Sequence, residues 1–129
     1  MTEPMRGRVG EGAHEALLTL TVASLDPSGS QTELEAVVDT GFTGALCLGT
    51  EQIESLGLPL LGRGAAVLAD GRAVETRYHR GQVIWHGRER EVRVICADGG
   101  PLVGMALLRG GLLTIEVAPG GEVSVVKLV

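Results

Sequence analysis

Aromatic side chains are nearly missing from this sequence. Phe42, Tyr78 and Trp85 are the only three in 129 residues. So few rings leave little to stack on nucleobases or sugars, and any core must be built from Val, Leu, Ile and Ala. Basic charge is in the minority, with 11 Lys and Arg against 16 Asp and Glu, for a net charge of −5. That balance argues against nucleic acid as a partner, because phosphate binding needs a basic face. Long apolar runs are absent too. No stretch approaches the roughly 18 residues of a membrane helix, so no membrane partner is expected. The N-terminal stretch has no apolar core of signal-peptide length, and the expected location is the cytoplasm. Cysteine is scarce. Cys47 and Cys96 sit far apart in apolar runs and read as buried free thiols. The three histidines, His14, His79 and His86, lack any spacing of the His-Glu-x-x-His kind, so no metal is expected.

What is present is aliphatic and rich in turns. Apolar residues make up 44% of the chain, enough to bury a core, and the length suits one domain. Twenty glycines spread through it imply many turns and hence many short strands. Residues 1–14 are polar and glycine-rich and are expected to be a flexible arm, leaving 15–129 as the folded domain. Ala16 to Leu25 and Glu33 to Val38 alternate with period two, joined by the turn composition Asp26-Pro27-Ser28-Gly29-Ser30. Thr50 to Gly57 is the clearest helix, with Gly49 or Thr50 as cap, an acid in its first turn and Gly57 to end it. Ala65 to Ala69 and Ala73 to His79 flank Asp70-Gly71, a hairpin signal. Val83 to Trp85 and Glu91 to Cys96 form another hairpin, turning at His86-Gly87-Arg88. Met105 to Leu108 reads as a short helical turn. Leu112 to Val117 and Glu122 to Leu128 close the chain as strands. The sum is an all-β (mainly β) barrel or sandwich with one or two short helices.

The chemistry converges on Ala36-Val37-Val38-Asp39-Thr40-Gly41. An aspartate ending a buried apolar strand is costly unless it is solvated or hydrogen-bonded. Gly41 lets the main chain approach the carboxylate closely. The tripeptide alone also suits a simple turn in which Asp39 accepts its own backbone N–H groups.

The wider context resembles the retropepsin-like aspartic proteases, in the prokaryotic form Asp-Thr-Gly-Phe. The resemblance rests on Asp39-Thr40-Gly41-Phe42-Thr43-Gly44, on the helix ending Leu56-Gly57-Leu58, and on Leu102-Val103-Gly104 leading into Met105 to Leu108. It spans about Leu17 to Val126. It implies a closed or partly open acid-protease barrel and an aspartic endopeptidase with no metal or organic cofactor. One departure stands out. Many relatives carry Asp or Asn two positions after the second glycine, where this chain has Ala106.

The same resemblance assigns roles. Asp39 would be the catalytic acid or base, Thr40 would hydrogen-bond across a twofold axis, and the Gly41 carbonyl would accept from an extended peptide. Phe42 and Thr43 would lie at the rim of the substrate site. Asp70 and Gly71 would tip a flap over the substrate, and Leu102 would line an apolar subsite. Such chemistry needs two carboxylates sharing a proton. The chain has one Asp-Thr-Gly, so the second must come from an identical chain in an isologous homodimer. The alternative is a catalytically silent module of the same fold that dimerises or binds peptides.

Overall fold

A computed structural model describes residues 2–67 and 70–129. It contains ten strands and two short helices. The strands are β1 (Met5–Val9), β2 (Ala16–Ala23), β3 (Gln31–Val38), β4 (Leu46–Leu48), β5 (Leu60–Val67), β6 (Ala73–Trp85), β7 (Arg88–Cys96), β8 (Leu102–Val103), β9 (Gly111–Ile115) and β10 (Glu122–Lys127). The helices are α1 (Thr50–Leu56) and α2 (Met105–Leu108). Among the described residues, no helix is long and apolar enough to cross a membrane.

Six strands close into a barrel in the order β2-β3-β8-β4-β7-β6, with β6 returning to β2 through Val22↔Val83 and Ala23↔Gln82. Most neighbours are antiparallel, but β3–β8 and β4–β7 are parallel. The parallel pairs matter because they bring the ends of β3 and β8 side by side, with Val38 opposite Val103. Period-two alternation fills the barrel. Leu18, Leu20 and Val22 of β2 are buried against Leu46, Leu48, Val83, Val94 and Val103. Trp85 is the one aromatic residue among the buried core.

Outside the barrel, β5 pairs with β6 to form a projecting hairpin. On the other side, β1, β10 and β9 extend the sheet from β2. Part of the segment expected to be a flexible arm is therefore built into the sheet. Met5 and Val9 of β1 are buried, Arg6 and Arg8 point to solvent, and β1 pairs with both β10 and β2. The alternation Met5-Arg6-Gly7-Arg8-Val9 is itself a period-two signal.

Two further expectations change. Val83–Trp85 and Ala73–His79 are one continuous strand, β6, not two. Gly81 carries no side chain to continue the pattern, and it sits in mid-strand where Leu58 and Val94 press close, so that an added Cβ would meet Val94 Cγ2 at 3.1 Å. The β6–β7 turn is tighter than expected. Only His86 and Gly87 lie in it, with φ of 54° and 79°, the doubly positive pattern of a type I′ turn, and Arg88 already pairs with Trp85. Helix α1 ends as its sequence implies, with Gly57 at φ 66°. Its start is held by Gln52, whose Oε1 accepts the Gly49 N–H at 3.3 Å.

Candidate active site

Asp39 follows the last residue of β3. Its N–H donates to the Val103 carbonyl at 2.9 Å, which continues the parallel ladder with β8 for one more step. The chain then turns. The Phe42 N–H donates to the Asp39 carbonyl at 3.1 Å, and the Gly41 N–H donates to Asp39 Oδ1 at 2.9 Å. The second bond is the self-accepting aspartate turn, and it fixes one carboxylate oxygen. Asp39 is half-buried, whereas Thr40, Gly41 and Thr43 are exposed. Among the described residues, neither Asp39 Oδ2 nor the Thr40 hydroxyl has a hydrogen-bond partner within the chain. The loop thus presents a half-fixed carboxylate and a free hydroxyl at the surface.

The loop is clamped from below by α2. The Gly104 N–H donates to the Ala45 carbonyl at 3.0 Å, the Met105 N–H to Phe42 O at 2.9 Å, and the Ala106 N–H to Gly44 O at 3.2 Å. Backbone donors at the start of α2 therefore meet the carbonyls of the loop. Gly104 has no room for a side chain. A Cβ there would run into the Gly44 carbonyl and sit 2.5 Å from both Cδ2 and O of Phe42. A Cβ on Gly44 would meet the Phe42 ring at 2.6 Å. The half-buried Phe42 ring therefore lies against both glycines and props the loop, a packing duty beyond the rim position expected of it.

Ala106 has no polar side chain to offer, but a distant residue ties this helix. Arg90 of β7 donates from Nη2 to the Ala106 carbonyl at 3.3 Å and from Nη1 to Leu107 O at 3.4 Å. Sequence reasoning missed this residue, because Arg90 stands in an alternating-charge stretch that reads as a solvated hairpin face.

The other expected residues lie further out. Asp70 and Gly71 fall in the connection between Val67 and Ala73, the last ladder pair of the β5–β6 hairpin. The end of the strand expected over Ala65 to Ala69 lies outside the described residues, since description stops at Val67 and resumes at Asp70. Gly71 has φ 86°, which glycine adopts without strain. Asp70 accepts the Arg72 N–H at 3.0 Å and the Arg72 Nε–H at 2.6 Å. These two bonds, the backbone one first, hold its carboxyl below the usual range. Leu102 is half-buried, pairing with Val37 and Cys47 on the face of β8 opposite the core residue Val103. The structure therefore joins Asp39 to Thr43 and the Leu102–Ala106 segment in one unit, with Asp70-Gly71 on a separate hairpin.

Cys47 is buried and Cys96 half-buried, and both are free. Burial above all pushes the Cys47 thiol up. Among the described residues, no group of three or more His, Cys, Asp or Glu is placed to hold a metal ion.

Solved structures share this fold. A retropepsin-like aspartic protease from Rickettsia conorii superposes with a TM-score of 0.58 over 97% of this chain and 93% of its own, at 16% identity. The EIAV protease, solved with the inhibitor HBY-793, superposes with a TM-score of 0.54 over 74% of this chain and 86% of its own, at 20% identity. The chain has a retropepsin-like fold. The expected acid-protease barrel is thus the observed one, and within it Asp39 follows the strand paired in parallel with β8. No protein-family model and no curated protein matches the sequence. Identities of 16% and 20% mean that the retropepsin-like likeness lies in the backbone path.

Proposed function

We propose that two copies of this chain form an aspartic endopeptidase, with Asp39 of each copy supplying one of the paired carboxylates. The observation that carries this reading is the Asp39–Gly41 loop. It is clamped by α2 in a retropepsin-like barrel and leaves one Asp39 oxygen and the Thr40 hydroxyl without partners in the chain. In the dimer, one Asp39 acts as general base on a water that attacks the peptide carbonyl. The other is the general acid that protonates the developing oxyanion. The base then passes the proton it took from water to the leaving amine as the C–N bond breaks, while the acid recovers its proton from a hydroxyl of the tetrahedral intermediate. Two carboxylates in contact cannot both ionise cheaply, so they titrate as a coupled pair. Thr40 reaches its counterpart across the axis, and the Gly41 carbonyl accepts from an extended substrate. Phe42, Thr43 and Leu102 border the bound peptide, and Asp70-Gly71 covers it. No cofactor enters this scheme. The two free thiols suit a reducing compartment, and we place the activity in the cytoplasm.

A surface on the chain suits self-association. Among the described residues, strand β9 is the outer strand of the sheet and pairs only with β10, so one of its edges is open. Leu112, Val126 and Leu128 are 56%, 48% and 55% exposed, and Leu112 faces Val126 across the pair. An open edge flanked by apolar side chains invites pairing with a second chain.

The deciding experiment is cleavage of an unstructured protein at mildly acidic pH. Activity blocked by a statine-type inhibitor and abolished in Asp39→Asn supports the proposal. Activity that survives Asp39→Asn refutes the mechanism. A dimer that binds peptides without cleaving them would assign the fold to the silent module, consistent with Ala106 standing where relatives carry a polar residue.

A further inference from the structure

We propose that the chain carries a second site, a cationic cavity at the β6–β7 hairpin that binds a small molecule bearing phosphate groups. The sequence register creates it. Val94 and Val92 of β7 are buried, and the same face of the strand continues into Arg90 and Arg88. Their cross-strand partners, Val83 and Trp85, are buried core residues. Arginines therefore occupy positions where the barrel end would otherwise be sealed by apolar side chains. They open into a cavity of about 370 Å³ whose lining also includes Trp85, Arg109, Lys127 and Leu128. That volume falls in the range of small-ligand sites.

The charge distribution is the second observation. The chain is acidic overall and holds 11 cationic side chains. Arg6, Arg8, Arg63, Arg72 and Arg80 each meet a carboxylate at 2.6 to 3.9 Å. Arg77 lies beside the Cys96 sulfur, and Arg93 stacks over Tyr78. The remaining four, Arg88, Arg90, Arg109 and Lys127, all line this cavity, and among the described residues none forms an ion pair. The one carboxylate in the lining, Glu89, instead accepts a hydrogen bond from Gln82 at 3.2 Å. Four cations lining one cavity against the single carboxylate of Glu89 leave an excess of positive charge, and a multiply charged oxyanion relieves their repulsion. Guanidinium forks match phosphate oxygens in pairs. Trp85 and Leu128 supply an apolar wall for the organic part of the ligand. Arg90 already donates to the Ala106 and Leu107 carbonyls, which leaves Arg88, Arg109 and Lys127 as the principal anion contacts.

Asp39 takes no part in this site, so it stands if the peptidase proposal fails, and the one residue it shares with the surface suited to self-association is Leu128. The test is calorimetric titration of inorganic pyrophosphate into the full chain near 0.15 M salt, where long-range attraction is screened. Binding at one site per chain with Kd below about 1 mM is expected. It should weaken at least about tenfold in Arg88→Gln/Lys127→Gln. The control Arg6→Gln/Arg80→Gln removes the same charge elsewhere and should bind as the parent does. Both pairs are surface cations, and unchanged melting temperatures confirm that the variants fold. Lys127→Gln alone serves if the double variant does not. Absence of binding overturns the proposal, as does equal weakening in the control. Preference for an oligoglutamate peptide over pyrophosphate would also overturn it, giving the cavity to an acidic protein segment.

Discussion

At the scale of single residues, the account rests on how few atoms hold Asp39. Its N–H donates to Val103, its carbonyl accepts from Phe42, one carboxylate oxygen accepts from Gly41, and the other has no partner among the described residues. Asp39→Asn keeps those backbone contacts, so the melting temperature should stay close to that of the parent. Peptidase activity should fall by at least about 10²–10⁴-fold, the range of a lost acid–base group. Gly104 makes the complementary prediction. Any side chain there meets Phe42 and the Gly44 carbonyl, so Gly104→Ala should destabilise the chain by roughly 1–3 kcal/mol, the usual penalty for overpacking. A thermal melt measures it, and an unchanged transition would show that the loop is not wedged as described. The Asp-Thr-Gly loop and the Val103-Gly104 segment were legible in the sequence because each is local. The Arg90 tie was not, since it joins residues 16 and 17 positions apart through side-chain reach alone.

At the scale of elements, the β5–β6 hairpin has a built-in acid sensitivity. The Asp70 carboxyl is held below its ordinary value of 3.8 by the Arg72 N–H and guanidinium. A depressed carboxyl contributes its tie above that value and loses it as the pH falls through the lower folded value. Mildly acidic assay conditions therefore leave the tip intact. NMR signals of the Arg72 N–H and Nε–H should stay constant down to about pH 4 and shift below it. Asp70→Asn should remove that titration. The open edge at β9 gives another prediction. Leu112→Asp/Val126→Asp places charge on a solvent-facing apolar pair, so folding should survive while self-association is lost. Sedimentation would detect the loss, and activity should fall with it. Elements with clean alternation, β2 and β3, were readable in advance, as was α1 with its terminal glycine. Strand β1 was hidden by glycine-rich neighbours on a short segment. The length of β6 was hidden around Gly81, where a glycine that packing requires interrupts the side-chain pattern. The unpaired cluster of cations also escaped, because the charge alternation of Arg88-Glu89-Arg90-Glu91 looks like a solvated face until the register sets both arginines opposite the buried Trp85 and Val83.

At the scale of the molecule, the proposed function makes a chain with one Asp-Thr-Gly in a retropepsin-like barrel half of a catalytic unit. Neither copy should then work alone. Mixing parent chain with Asp39→Asn at constant total concentration, after allowing subunits to exchange, tests it directly. If each site needs Asp39 from both copies, mixed dimers are dead. A one-to-one mixture then retains about a quarter of the parent activity, with a quadratic dependence on the parent fraction. A linear dependence, with about half the activity remaining at one-to-one, would mean that each chain cleaves on its own and would contradict the shared site.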